Sequence, residues 1–312
     1  MLSTPEYGRD LVGYGSNPPD PQWPGGARLA VSFVLNYEEG GENTVLNGDS
    51  HSETFICETP SQPLVGLRNV NTESLYDYGA RAGVWRLLRI FEAAGLPLTV
   101  FAVGKALADN PAAGRAFAEL GHEVASHHWR WIDYLHVPED VEREHIRRSI
   151  DIIEELTGAK PAGWYGGRTS IRSRRLAVEA GCFSYDSDVY DDDLPHWSTV
   201  GDKSVLLVPY SLDANDFKFS ISPGFSSGDD FETYLRGAFD FLYEEGATSP
   251  KMMSIGLHCR MAGRPGRAAA LARFVKYVQT FDDVWVCRRA EIADHWRKNF
   301  PAPTPSSDRS AP

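Results

Sequence analysis

Leu29-Ala30-Val31-Ser32-Phe33-Val34-Leu35-Asn36 runs directly into Tyr37-Glu38-Glu39-Gly40-Gly41. A short, nearly unbroken apolar run of this kind reads as a buried strand. Two carboxylates at its C-terminal end, followed by two glycines, stand where α/β barrels carry their chemistry. The arrangement recurs twice. His122-Glu123-Val124-Ala125-Ser126 leads into His127-His128-Trp129-Arg130-Trp131, and Met252-Met253-Ser254-Ile255-Gly256-Leu257 leads into His258-Cys259-Arg260. Acids and imidazoles at three strand ends make an enzyme the leading reading.

Around these runs, strands alternate with helices. Residues 78–94 carry Val84, Leu87, Leu88 and Phe91 on one stripe and stop at Gly95, so the spacing predicts a helix. Further helices are expected at 110–120, 138–156, 172–180, 229–245, 266–280 and 289–298. Strands are expected at 97–103, 122–126, 161–165, 182–185, 205–210, 252–258 and 284–286. This alternation implies a parallel sheet, and about seven units fit a barrel better than an open sheet. Residues 1–28, rich in Gly, Pro and Tyr, read as an irregular arm that docks on the body or on a neighbouring subunit. Residues 40–74 show no period and read as a functional or interface segment. No internal linker divides the chain, so residues 1–300 read as one domain and 301–312 as a disordered tail.

The 312 residues carry a formal charge of −12. An acidic chain offers no basic field to nucleic acid. No apolar run approaches the roughly 20 residues of a spanning helix, and the N-terminus lacks a signal peptide's pattern. Cytoplasmic residence is the expectation. Cys57, Cys182, Cys259 and Cys287 form no C-x-x-C pair and read as reduced thiols. Cys259 should point away from His258 by strand alternation.

Glu38 and Glu39 could divide the tasks of taking a proton from water and orienting it; the plain alternative is an exposed acidic turn. His127 and His258 could act as acid, base or metal ligand. Four residues beyond His127 lies Trp131, which cannot ligate, so no closed metal site is written here. Trp164-Tyr165-Gly166-Gly167-Arg168-Thr169-Ser170 is a strand end at which glycine N–H groups could cradle an oxyanion and Arg168 could fork onto a carbonyl or carboxylate; a tight turn is the alternative.

Together these residues resemble the polysaccharide deacetylase (NodB-homology) superfamily. Its T-F-D-D-G motif falls on Asn36 to Gly40, its H-[ST]-x-x-H on His127 to Trp131, its arginine-proline-tyrosine motif near Trp164 to Arg168, and its L-x-[IL]-H on Ser254 to His258. Both aspartates are glutamates here, and the second metal histidine is Trp131. Asn36-Tyr37-Glu38-Glu39-Gly40-Gly41, Tyr190-Asp191-Asp192-Asp193-Leu194-Pro195, Leu212-Asp213-Ala214-Asn215-Asp216 and Gly256-Leu257-His258-Cys259-Arg260 are similar to the allantoinase branch of that superfamily. The resemblance implies an α/β fold, a distorted seven-stranded (β/α) barrel. It further implies hydrolytic opening of the hydantoin ring of allantoin, no catalytic metal or other cofactor, and a homotetramer. It implies that Glu38 is the base, that Glu39 and His127 replace the metal pocket, and that His258 is the proton donor. It places Trp131, Trp164, Arg168, Asp213 and Asn215 around the substrate. A metal-dependent N-deacetylase, a cyclic imide hydrolase and a catalytically silent sugar-binding relative stay open as alternatives.

Overall fold

A computed structural model of the chain describes residues 9–59 and 61–303. The first eight residues of the expected arm, and the expected tail beyond Pro303, lie outside the described residues.

Strand β1 (Leu29–Tyr37) is buried along its whole length because it has neighbours on both edges and helices over it. It pairs in parallel with β8 (Lys251–His258) from Leu29↔Lys251 to Asn36↔His258. On its other edge, β2 (Thr99–Ala102) takes the C-terminal half and β9 (Val284–Val286) the N-terminal end. The sheet continues in parallel through β3 (Glu123–Ser126), β4 (Gly163–Trp164), β5 (Tyr185–Asp186) and β7 (Lys203–Leu207). The path β8-β1-β2-β3-β4-β5-β7 is the expected seven-stranded core. A short antiparallel strand, β6 (His196–Val200), flanks β7 and has no counterpart in the sequence pattern. The sheet curls until Gly256 donates to the Ala214 carbonyl (2.9 Å) and Met252 to that of Asp193 (3.0 Å), which makes a distorted barrel.

Helices α2 (Val84–Ala94), α3 (Gly228–Glu245) and α4 (Pro265–Val278) cover β1 and β8, and Phe33 meets Phe91 and Phe274 edge-on. The Val84, Leu87, Leu88 and Phe91 stripe is buried as expected. The helix expected at 78–94 is instead preceded by α1 (Val70–Tyr78) and a widened π turn, Gly79–Gly83. The arm docks on the body: Trp23 is buried and its indole N–H donates to the Lys251 carbonyl (2.9 Å), and the Tyr14 hydroxyl donates to the Pro195 carbonyl. Among the described residues no helix is long and apolar enough to cross a membrane.

Candidate active site

Parallel strands end together, so Glu38, His127 and His258 meet at one end of the barrel. Glu38 follows β1 directly and is 1% exposed. Its Oε1 faces the Nε2 of His127 at 3.3 Å and the Nε2 of His258 at 3.4 Å. Its Oε2 accepts from the Nη1 of Arg260 at 2.7 Å. The His127 Nδ1 meets the Tyr165 carbonyl at 3.0 Å and, facing an acceptor, donates to it. The His258 Nδ1 donates to Asp216 Oδ1 (2.6 Å), while Asp216 Oδ2 accepts from the backbone N–H groups of His258 and Ala262 (2.8 Å each). The ring of His258 is therefore fixed at both nitrogens.

The charges follow from this geometry. Burial, the largest single influence, pushes the Glu38 carboxyl upward, but Arg260, His258 and His127 together hold it well below the usual range. Burial pushes His258 downward, but Glu38 and then Asp216 outweigh it and raise the imidazole to about 9. At neutral pH the site therefore pairs a carboxylate with an imidazolium.

These groups open onto a cavity of ≈230 Å³. Tyr165 and Tyr210 form part of its wall and Phe101 packs against both, the three ring centroids 4.6–5.4 Å apart. The Asn36 and Asn215 amides both donate to the Tyr210 hydroxyl (3.1 and 3.2 Å). The segment without a period supplies the roof through Phe55 and Ile56. Phe55 stacks on Trp131 at 5.9 Å, and the Arg168 guanidinium lies over both rings. Arg168 donates to Glu53 Oε2 (2.9 Å) and to the Trp131 carbonyl (3.2 Å).

Glu38, His127, His258, Trp131, Arg168 and Asn215 thus converge on the cavity, and the other expected residues do not. The Glu39 carboxylate turns away: its Oε2 accepts the Glu38 N–H (2.9 Å), and it packs so closely on Gly79 that a Cβ there would lie 2.2 Å from Oε1. Burial raises its carboxyl to about 7. Trp164 is in the core against His128 and Phe183. Asp213 accepts from Ser211 and Tyr234 and lines a separate groove with Asp191 to Asp193. The Gly167 N–H, expected to face an oxyanion, donates to Asp188 Oδ1 (3.2 Å). His128 follows His127 with a φ of 63°, which swings its ring onto Tyr134 at 3.6 Å, away from the cavity. Cys259 turns its thiol to the Asn36 carbonyl, away from His258 as alternation requires.

Sequence pattern alone assigns no role to Asp216, Arg260 or Tyr210. Asp216 and Arg260 sit within the motifs quoted above, yet their partners lie 42 and 222 residues away, beyond the reach of any local pattern.

The positions that resemble the superfamily's metal ligands are Glu39, His127 and Trp131. They do not fit a metal: Glu39 faces away from His127, and Trp131 has no ligating atom. The cations beside Glu38 are the Arg260 guanidinium and the His258 imidazolium. Among the described residues no three His, Cys, Asp or Glu side chains are placed to hold a metal ion.

The polysaccharide deacetylase family pattern matches residues 73–181. A putative polysaccharide deacetylase of Schizosaccharomyces pombe is 42% identical over 94% of this chain and 98% of its own length. The crystal structure of a probable polysaccharide deacetylase from Pseudomonas aeruginosa PAO1 superposes with a TM-score of 0.92 at 56% identity, covering 95% of this chain and 100% of that one. The PuuE allantoinase structure superposes with a TM-score of 0.93 at 55% identity, covering 95% and 99%. With relatives this similar spanning nearly its full length, the chain belongs to the polysaccharide deacetylase family.

Proposed function

We propose that this protein is an allantoinase, opening the hydantoin ring of allantoin with water to give allantoate. The observation that carries the reading is the Glu38 carboxylate held among His127, His258 and Arg260, with Trp131 closing the position of a metal histidine. The 55% identity with an allantoinase over nearly the whole of both chains supports it. The cavity supports it too. At ≈230 Å³ it is smaller than the ~300–1,000 Å³ of most ligand pockets, and its roof and walls are aromatic. A single small ring suits such a space better than a polysaccharide strand.

Water bound at Glu38 Oε1 gives one proton to the carboxylate as its oxygen attacks the ring carbonyl carbon. The oxyanion that forms faces His127 and the positive charge of the site. His258, already protonated, gives its Nε2 proton to the ring nitrogen as the C–N bond breaks. The new carboxylic acid releases its proton to solvent. Glu38 then returns its own proton across the 3.4 Å gap to His258, restoring both groups. A carboxylate so well neutralised is a weak base. Its main contributions are orientation of water and this short return path. Arg168, sandwiched against Phe55 and Trp131, meets the ureido arm in this reading.

The test is hydrolysis of racemic allantoin by purified protein, in parallel with hydantoin, succinimide and N-acetylated chitin oligomers, each with and without a strong chelator. Chelator-resistant allantoate formation that falls ~10²-fold or more in Glu38→Gln is expected. Chelator-sensitive release of acetate from the oligomers would overturn the reading in favour of a deacetylase, and turnover of succinimide without allantoin would favour an imidase.

A further inference from the structure

The two oxygens of Glu38 are treated differently. Oε1 faces both imidazoles, and Oε2 is taken by Arg260. Arg260 is 2% exposed and is absent from the cavity lining, so it reaches Glu38 from behind the wall. Its guanidinium lies over the Tyr76 ring at 4.3 Å and beside Trp131 at 5.3 Å. Its Nη1 lies 4.0 Å from Glu39 Oε1, while its Nε and Nη2 have no hydrogen-bond partner among the described residues. A buried guanidinium that spends one prong on Glu38 and leaves two of its nitrogens unused is not held there by its own hydrogen bonding. What fixes it is the charge of Glu38, with Glu39 behind, and the aromatic faces on either side.

We propose that Arg260 is a positioning residue for the hydrolysis: by pinning Oε2 it presents Oε1 to water and to both histidines, and it adds a permanent positive charge beside the imidazolium of His258. Arg260 touches no substrate in this arrangement, so its loss should appear in kcat and not in KM. Without it, Glu38 can rotate out of line with His127 and His258.

Arg260→Gln and Arg260→Lys decide the matter, with thermal melts to check folding. In Arg260→Gln, kcat should fall ~10²–10³-fold, the scale of a lost preorganised charge, with KM within about threefold of the parent. Arg260→Lys, which restores the charge without the fork, should recover about tenfold or more of that loss. The crystal structure of Arg260→Gln should show the Glu38 carboxylate displaced from the histidines. Full turnover in Arg260→Gln would overturn the proposal, as would equal losses in both variants with Glu38 unmoved, since Arg260 would then serve packing alone. Should Arg260→Gln fail to fold, the same criteria apply to the kcat and the Glu38 position of Arg260→Lys. The kinetic arm rests on the allantoinase reading and the crystallographic arm does not, so a parent protein inert on allantoin would sink that reading while the position of Glu38 still judges Arg260.

Discussion

The pairing of Glu38 with His258 gives each a charge it would not hold alone. His258 is raised to about 9, so its charged form contributes stability fully below the free imidazole value of about 6.5, and that contribution is lost as pH rises through about 9. If the imidazolium donates the proton, kcat should decline above the same pH. In Asp216→Asn the limb should move toward neutrality and kcat at pH 8 should drop ~10-fold or more, read from a pH–rate profile; an unchanged limb would remove Asp216 from the tuning of His258. Glu39 shifts stability in the same direction, but through its neutral form and over a lower pH range. A carboxyl raised to about 7 favours the fold while protonated, so stability is lost as pH rises from about 4.5 through 7. Glu39→Gln should fold well and flatten that decline in urea titrations at several pH values, with Glu42, also raised to about 7 by burial, leaving a residual slope. At this scale the sequence revealed the residues that a strand end brings to the cavity, namely Glu38, His127 and His258. It could not reveal which of two adjacent side chains faces in: Glu38 and Glu39 look alike in the chain, and only the packing of Glu39 on Gly79 separates them.

Among the elements, the long strands and amphipathic helices were legible because burial imposes a period on them. The strand expected at 284–286 and the helices expected at 229–245 and 289–298 lie within a residue of those observed. The segment from Gly79 to Gly83 was not, since its widened turn answers to a partner far along the chain. A Cβ on Gly83 would lie 2.0 Å from the Cys259 carbonyl oxygen, next to the start of Arg260. Backbone cannot yield as a side chain tip can. Gly83→Ala should therefore cost ~1–3 kcal/mol or more, seen as a lowered denaturation midpoint, and should reduce kcat as the 259–260 backbone moves. A Gly83→Ala protein of parental stability would mean that the turn relaxes without strain. Helix α1 escaped notice for a plainer reason: only Thr72 and Tyr76 of it are buried, too few to set a period.

For the molecule as a whole, seven parallel strands could be counted from alternation, but closure of the curl depends on contacts no period encodes. Arg289 is one of these. Fully buried inside the barrel, it donates to Ser187, Ser254 and the Pro209 carbonyl, tying strand ends from both sides of the seam. The net charge of −12 leads to a separate expectation. The proposed substrate, allantoin, is neutral, so on that reading the protein's field does not steer it, and kcat/KM should change less than about twofold between ~0.05 and ~0.5 M salt. A steep salt dependence would point to a charged substrate. The pairing of β1 with β8 bears on how the chain is made. At ~5–20 residues per second, ~10–40 s separate the emergence of β1 from that of its partner β8. Throughout that interval the central strand offers a bare apolar edge, the kind of surface that recruits chaperones or aggregates. On the ribosome, Glu38 waits without Arg260 or His258 until β8 and the turn after it have emerged, so catalysis can begin only after that strand has been threaded into place.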